Sequence, residues 1–200
     1  MNLFVRACVF AIALPVVSAC TVLSTETPIG ISSGVSTDAR LLGGWKLVSA
    51  DTGDTGKNYV FVEPREMGGL HATIISWEPL YILDPKEHYR STFEIVTGRI
   101  NAYRFINARP LLEKDQPASE LTLPKGYFPI RYSFQPNGSI QFFGEIEGTI
   151  IAAIENGEVR GTTNDGNIRL MAESQSLDAY FAEAAPSVFS TLLWTLEPLD

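Results

Sequence analysis

Short runs in which apolar and polar residues alternate follow one another along most of the chain, and they predict a protein built mainly of β-strands. Gly44–Ser49 is typical, because Trp45 and Leu47 would share one face of a strand. The other predicted strands are separated by turns rich in Gly, Asn, Asp and Pro. They cover Asn58–Glu63, Leu70–Ser76, Ser91–Val96, Arg99–Asn107, Phe128–Phe134, Ser139–Phe143, Glu158–Thr163, Asn167–Ala172 and Val188–Leu196, with a break near Gly98.

Two segments have the spacing of helices instead. Thr149–Gly157 places three isoleucines on one helical face, and Leu177–Ala184 carries an apolar stripe after a predicted N-cap at Ser176. Pro186 is expected just beyond the end of the second helix. Because a closed sheet has no exposed edge strands, we predict an antiparallel β-barrel of about 8–10 strands with two short helices, one near the C-terminus.

The N-terminus has the pattern of an export signal. Arg6 precedes the apolar run Ala7–Val17, which is too short to span a bilayer as a helix. The small residues Ser18 and Ala19 follow, and Cys20 comes directly after them.

Residues 17–20, Val-Ser-Ala-Cys, resemble the lipobox of bacterial lipoproteins. The resemblance implies cleavage before Cys20 and lipidation of its sulfur, so that acyl chains anchor the protein in the membrane. An ordinary secretory signal is the alternative. Thr21 in place of Asp after the cysteine implies transport to the outer membrane, with the protein facing the periplasm.

Composition divides the chain into three parts. Residues 1–19 are the predicted signal peptide, residues 20–40 the lipidated cysteine with a flexible tether rich in Ser and Thr, and residues 41–200 a single barrel domain. Gly30–Gly34 fits the Gly-x-Ser-x-Gly pattern of hydrolase nucleophiles. That pattern needs a preceding strand and a following helix, which are not predicted here, so we assign it to the tether.

Residues 41–45, Leu-Leu-Gly-Gly-Trp, resemble the start of lipocalin-like domains, in which Gly-x-Trp opens the first strand. A late helix followed by one more strand is also the lipocalin order. The resemblance implies that Trp45 closes one end of the barrel and that Arg169 stacks over it. From Tyr103 onwards the chain also resembles small uncharacterised bacterial lipoproteins, which implies an architecture but no activity.

Charge and cysteine content narrow the functional classes. A formal net charge of −8 argues against nucleic acid as a partner, since phosphate binding needs clustered Lys and Arg. Cleavage before Cys20 would leave one cysteine, itself lipidated, and therefore no disulfide. His71 and His88 are the two histidines, and neither has the neighbours of a zinc site, so we predict no metal and no cofactor.

The aromatic residues favour binding over catalysis. A small barrel is either packed or holds one small ligand, and Trp77, Tyr81, Phe105 and Arg131 are expected near an open mouth covered by the loop 108–126. We therefore predict a non-catalytic envelope lipoprotein that binds a small apolar or amphipathic ligand. One alternative is an interaction module that docks another envelope protein through the proline-rich loop or a strand edge. A lesser alternative is a hydrolase or metal-dependent enzyme using His71 or His88.

Overall fold

Strands dominate the computed structural model, which describes residues 22–32, 34, 37–49, 58–66, 68–76, 89–111, 126–164 and 167–199. The strands are β1 Val22–Thr25, β2 Gly43–Ser49, β3 Asn58–Pro64, β4 Leu70–Ser76, β5 Tyr89–Ile100, β6 Tyr103–Leu111, β7 Phe128–Phe134, β8 Ile140–Gly144, β9 Gly161–Asn164, β10 Asn167–Leu170 and β11 Thr191–Pro198. The helices are α1 Glu147–Glu155 and α2 Ser174–Val188, and a 3₁₀ turn covers Ala39–Leu41.

Eight strands close into an antiparallel barrel in the order β11-β2-β3-β4-β5-β6-β7-β8. The last strand closes it, because β11 pairs with β2 on one side and β8 on the other. Trp194 of β11 is thus level with Ser49 on one neighbour and Phe142 on the other. The prediction of a mainly β, lipocalin-like barrel with two helices is confirmed.

The barrel interior follows from the two-residue period of its strands. Alternate side chains point inward, and almost all of the inward ones are apolar. The buried residues of this first core are Leu41, Trp45, Leu47, Val60, Val62, Leu70, Ala72, Ile95, Ile106, Ile130, Tyr132, Ile140, Phe142, Trp194 and Leu196.

The two ends of the barrel differ in their connections. At the end that we call the closed end, short turns join β3 to β4, β5 to β6 and β7 to β8. We call the opposite end the mouth end. There, residues 50–57 connect β2 to β3, residues 77–88 connect β4 to β5, and residues 112–125 connect β6 to β7. These three connections lie outside the described residues. The strand β6 extends to Leu111, so the predicted loop 108–126 begins later than expected.

A second layer covers one side of the barrel wall. It contains both helices and a three-stranded sheet in the order β1-β10-β9, in which β1 runs parallel to β10. Its core lies between this layer and the outer face of the barrel. The buried residues of this second core are Leu23, Ile29, Ile100, Phe105, Ile150, Ala153, Val159, Ile168, Leu170, Leu177, Phe181, Ala185, Val188 and Phe189.

The N-terminal segment 22–32 is part of this layer, which corrects the expected tether. Leu23, Ser24 and Thr25 are buried in β1, and Ile29 is fully buried. Gly30, assigned above to the tether, has φ +76° and its carbonyl accepts a hydrogen bond from Arg99 N at 2.8 Å. A composition rich in Ser and Thr indicated flexibility, whereas tertiary pairing orders the segment.

The predicted break at Gly98 is also wrong. The strand β5 runs through it, and the turn lies at Asn101, whose φ is +53°. Gly98 is needed for close packing instead, because a Cβ there would collide with the carbonyl oxygen of Ile29. The glycine thus serves the docking of the N-terminal segment.

The helix α2 is longer than predicted and begins earlier, after Glu173 rather than Ser176. Pro186 lies inside it, although Pro was expected to end it. A proline leaves the carbonyl four residues earlier without its helical donor, and here the Asn101 side chain donates to Ala182 O at 3.3 Å. The final strand accordingly starts at Thr191 rather than Val188.

Candidate functional site

The candidate site is the barrel interior, and its floor is a polar cluster around Asp38. This carboxylate accepts hydrogen bonds from the Tyr132 hydroxyl at 2.9 Å and from Arg40 Nε at 2.9 Å. Arg104 Nε lies 3.8 Å from the same carboxylate. The Arg40 guanidinium covers the Phe134 ring at 4.1 Å, so cations and aromatic rings close this end together.

The electrostatics of this floor follow from burial and pairing. Burial by itself would raise the pKa of Asp38, but the hydrogen bonds from Arg40 and Tyr132 outweigh it and leave the pKa below its ordinary value. Burial, helped by the adjacent carboxylate, raises the pKa of Tyr132 well above its ordinary value. The floor is therefore an ionised carboxylate held between a neutral phenol and two guanidinium groups.

Trp45 is buried near the closed end, where its Nε1 donates to Leu41 O at 2.9 Å. Arg169 does not stack over it. Arg169 lies on β10 in the second layer, and its Nη2 is 2.8 Å from Glu26 Oε1. The predicted pairing of Trp45 with Arg169 is wrong, because the late strand that carries this arginine belongs to a different sheet.

Aromatic side chains continue from the floor towards the mouth end of the barrel. Tyr132 stacks on Phe142 with ring centroids 6.0 Å apart, and Phe142 stacks on Trp194 at 5.7 Å. Nearer the mouth end, Ile74 and Phe93 pack against this core but remain partly exposed. The interior thus changes from an aromatic floor to apolar walls whose side chains are only partly buried.

The predicted ligand-binding residues do not come together in this interior. Phe105 and Arg131 are paired across β6 and β7 on the outer face of the barrel. Phe105 is fully buried against Phe189, with centroids 5.4 Å apart. Their inward neighbours in the same strands are Ile106 and Ile130, so the two-residue period excludes both predicted residues from the interior. Trp77 and Tyr81 lie outside the described residues.

Arg131 lies on the outer face of β7 and connects the barrel wall to the second layer. Its Nε donates to Phe189 O at 2.8 Å, and its guanidinium lies 3.8 Å from the centre of the Phe143 ring. Burial lowers the pKa of this arginine below its ordinary value. Its contacts tie the end of α2 to the barrel wall.

A set of buried and half-buried polar side chains, which the sequence pattern did not predict, binds the N-terminal segment. Asn107 accepts from Ile29 N at 2.8 Å and donates to Ile29 O at 2.9 Å. Asp178 accepts from the backbone N–H groups of Gly30 and Ser32. The only sequence signal is a polar residue at a position where the strand or helix pattern expects an apolar one.

Glu145 is a third member of this set. It follows the last residue of β8, and its Oε1 accepts from Leu23 N at 3.2 Å. Burial raises the pKa of this carboxyl above its ordinary value. Together, Glu145, Asn107 and Asp178 hold the segment along the outer wall of the barrel.

The outer wall carries a further ion cluster that offers no metal site. Glu94 pairs with both Arg65 and Arg109, and although burial opposes it, these hydrogen bonds lower the pKa of Glu94. His71 lies opposite Glu94 on the neighbouring strand, and its Nε2 is buried without a hydrogen-bond partner. Among the described residues, no group of three or more His, Cys, Asp or Glu side chains is arranged to hold a metal. His88 lies outside them.

Fold and site together define a lipocalin-like, eight-stranded β-barrel with an apolar interior, a polar floor and a second layer on one wall. Comparison with protein-family models, curated proteins and solved structures gives no significant match. In the part of the chain that the structure describes, neither helix has the length and hydrophobicity needed to cross a membrane.

Proposed function

We propose that this protein is a bacterial envelope lipoprotein, anchored through Cys20, whose barrel binds a small apolar or amphipathic ligand. The observation that carries the proposal is the closed eight-stranded barrel with an apolar interior. Barrels of this size hold either packed side chains or one small ligand. The partly exposed Ile74 and Phe93 supply apolar wall at the end where a ligand would enter.

The lipobox-like residues 17–20 support the anchor. Thr21, rather than Asp, follows Cys20, which supports an outer-membrane location facing the periplasm. Acyl chains on Cys20 would anchor the protein without any basic surface, because each buried CH₂ contributes about 0.8 kcal/mol. That mode of attachment suits a chain with a net charge of −8.

The test of ligand binding compares two neighbouring isoleucines on β4. Ile74 points into the barrel, whereas Ile75 points outward, and both are partly exposed. In a chain of residues 22–200, I74W would fill the interior and I75W would leave it unchanged. Native mass spectrometry should find a bound mass of lipid size on the parent chain and on I75W, and lose it on I74W. A bare mass on all three chains, or a mass that I74W retains, would contradict the proposal.

Docking of another envelope protein is a second candidate, favoured by an apolar patch at the closed end. Leu42, Phe61 and Leu199 are each more than a third exposed there. Phe61 and Leu199 lie on either side of Gly44, whose missing side chain leaves room for both. If docking is the function, L199D should abolish a co-purifying complex while leaving the thermal unfolding of the chain unchanged. The proline-rich loop 108–126, which the sequence analysis also considers for docking, lies mostly outside the described residues.

A further inference from the structure

The described residues between Val22 and Asp38 follow the outside of the barrel from one end to the other. Thr25 forms a two-way backbone bridge with Tyr127, which immediately precedes β7 at the mouth end. Ile29 binds Asn107 halfway down the wall. Asp38 then reaches Tyr132 at the closed end. The chain therefore enters the folded domain at the mouth end.

The first residues of the segment are held there by side-chain and backbone contacts. Leu23 N donates to Glu145, which directly follows the mouth end of β8. Ile146, the next residue, donates its N–H to Val188 O at 2.7 Å and leaves its side chain 42% exposed. Parallel pairing of Val22 with Asn167 of β10 fixes the same position from the other side.

Covalent geometry then limits where Cys20 can be. Only Thr21 stands between Cys20 and Val22, so their Cα atoms are at most roughly 7 Å apart. Tyr127 lies seven residues before Phe134, the last residue of β7 at the closed end. At about 3.3 Å per residue and the usual tilt, the closed end is therefore about 18 Å away along the barrel axis. Acyl chains on Cys20 would therefore enter the bilayer beside the mouth end, and not beside the closed end.

We infer that the mouth of the barrel faces the bilayer in which Cys20 is anchored, while the apolar patch of Leu42, Phe61 and Leu199 faces away from it. This inference rests on the lipid anchor of the proposed function. A flexible tether would leave the barrel free to adopt any orientation relative to the bilayer. The structure has the strand β1 in this part of the expected tether. Lipids of that leaflet are then the ligand class that reaches the barrel without crossing water.

The test uses lipid-quenched fluorescence on the full chain. Cleavage removes Cys8, and acylation blocks the Cys20 sulfur, so one introduced cysteine carries the label. I146C reports the mouth end, and L199C is its matched control at the closed end, since the two side chains are 42% and 39% exposed. E147C and L42C give a second pair should either of the first variants fold poorly.

Each variant is labelled in vesicles that contain lipids with a quencher in the headgroup or upper acyl region. We expect quenching at position 146 to exceed that at position 199 at least twofold. Equal quenching, or stronger quenching at position 199, would overturn the orientation and leave the anchor intact. The mass of the N-terminal peptide is measured on the same samples. An unmodified Cys20 would overturn the anchor itself and, with it, the orientation.

Discussion

The side-chain amide of Asn107 binds both backbone polar groups of Ile29, 78 residues away in the chain. Its Nδ2 also lies 3.2 Å from Val96 O. A fully buried amide therefore pairs with the N-terminal segment as a neighbouring strand would. This contact turns a segment with the composition of a linker into part of the domain.

Asn107→Ala should release that segment. The substitution leaves two backbone groups of Ile29 buried without partners, at a cost of about 1–3 kcal/mol each. We expect the free energy of unfolding to fall by about 2–4 kcal/mol in urea titrations, with faster hydrogen exchange at Ile29 and Gly30. The exposed Asn164 provides the control, and N164A should change neither quantity. Unchanged exchange in N107A would show that the segment is held by other contacts.

Removing the N-terminal segment should destabilise the barrel. A chain of residues 40–200 lacks Leu23 and Ile29, two buried aliphatic side chains that each contribute about 1.5–3 kcal/mol. Compared with residues 22–200, we expect a loss of about 3–6 kcal/mol in the free energy of unfolding. Equal stability of the two chains, measured by thermal and urea unfolding, would restore the interpretation of residues 20–40 as a tether.

Glu145→Gln should stabilise the protein at neutral pH. Because burial raises the pKa of Glu145 in the folded state, its ionisation removes stability as the pH rises through that pKa. Gln stays neutral, and its oxygen still accepts from Leu23 N. We expect Tm to rise by about 2–4 °C at pH 7, which corresponds to about 1 kcal/mol, and the difference to vanish below about pH 4. E155Q, at an exposed position on α1, controls for the loss of one negative charge.

Asp38→Asn should have the opposite pH profile. The folded-state pKa of Asp38 is lowered, so the ionised carboxylate stabilises the protein above its unfolded-state pKa, and this contribution is lost as the pH falls. D38N should therefore lower Tm at pH 7, with a difference from the parent chain that shrinks below about pH 4. A Tm deficit that is independent of pH would mean that packing, rather than charge, is what Asp38 supplies. E183Q, at an exposed helical site, controls for the loss of one negative charge.

Phe105→Ala should lower the free energy of unfolding without altering the candidate ligand site. Truncation of a fully buried phenylalanine costs about 3–5 kcal/mol, and here it would open a cavity beside Phe189 on the outer wall. We expect urea titration to show that loss, while the fraction that remains folded keeps its affinity for a fluorescent fatty-acid probe. A selective loss of probe binding would place Phe105 in the ligand site after all.

The fold class was readable from the sequence because it depends on local pattern. Two-residue alternation, as in Trp45 and Leu47, marks which face of each strand is buried, and turn residues mark where strands end. The helix around Ile150 and the strands β9 and β10 were readable for the same reason. Alternation cannot say which of two buried faces a residue joins, and for this reason Phe105 and Arg131 were expected inside the barrel.

The sequence by itself determined a mainly β chain with a strong apolar alternation, an acidic surface and a lipobox-like N-terminus. Only the tertiary structure decided that strands carrying Arg169 and Leu23 form a second sheet, that Asp38 and Tyr132 meet at the floor, and that residues 22–32 are folded. These features join positions far apart in the chain. Such contacts exist only once the barrel has closed, and no local pattern of residues encodes them.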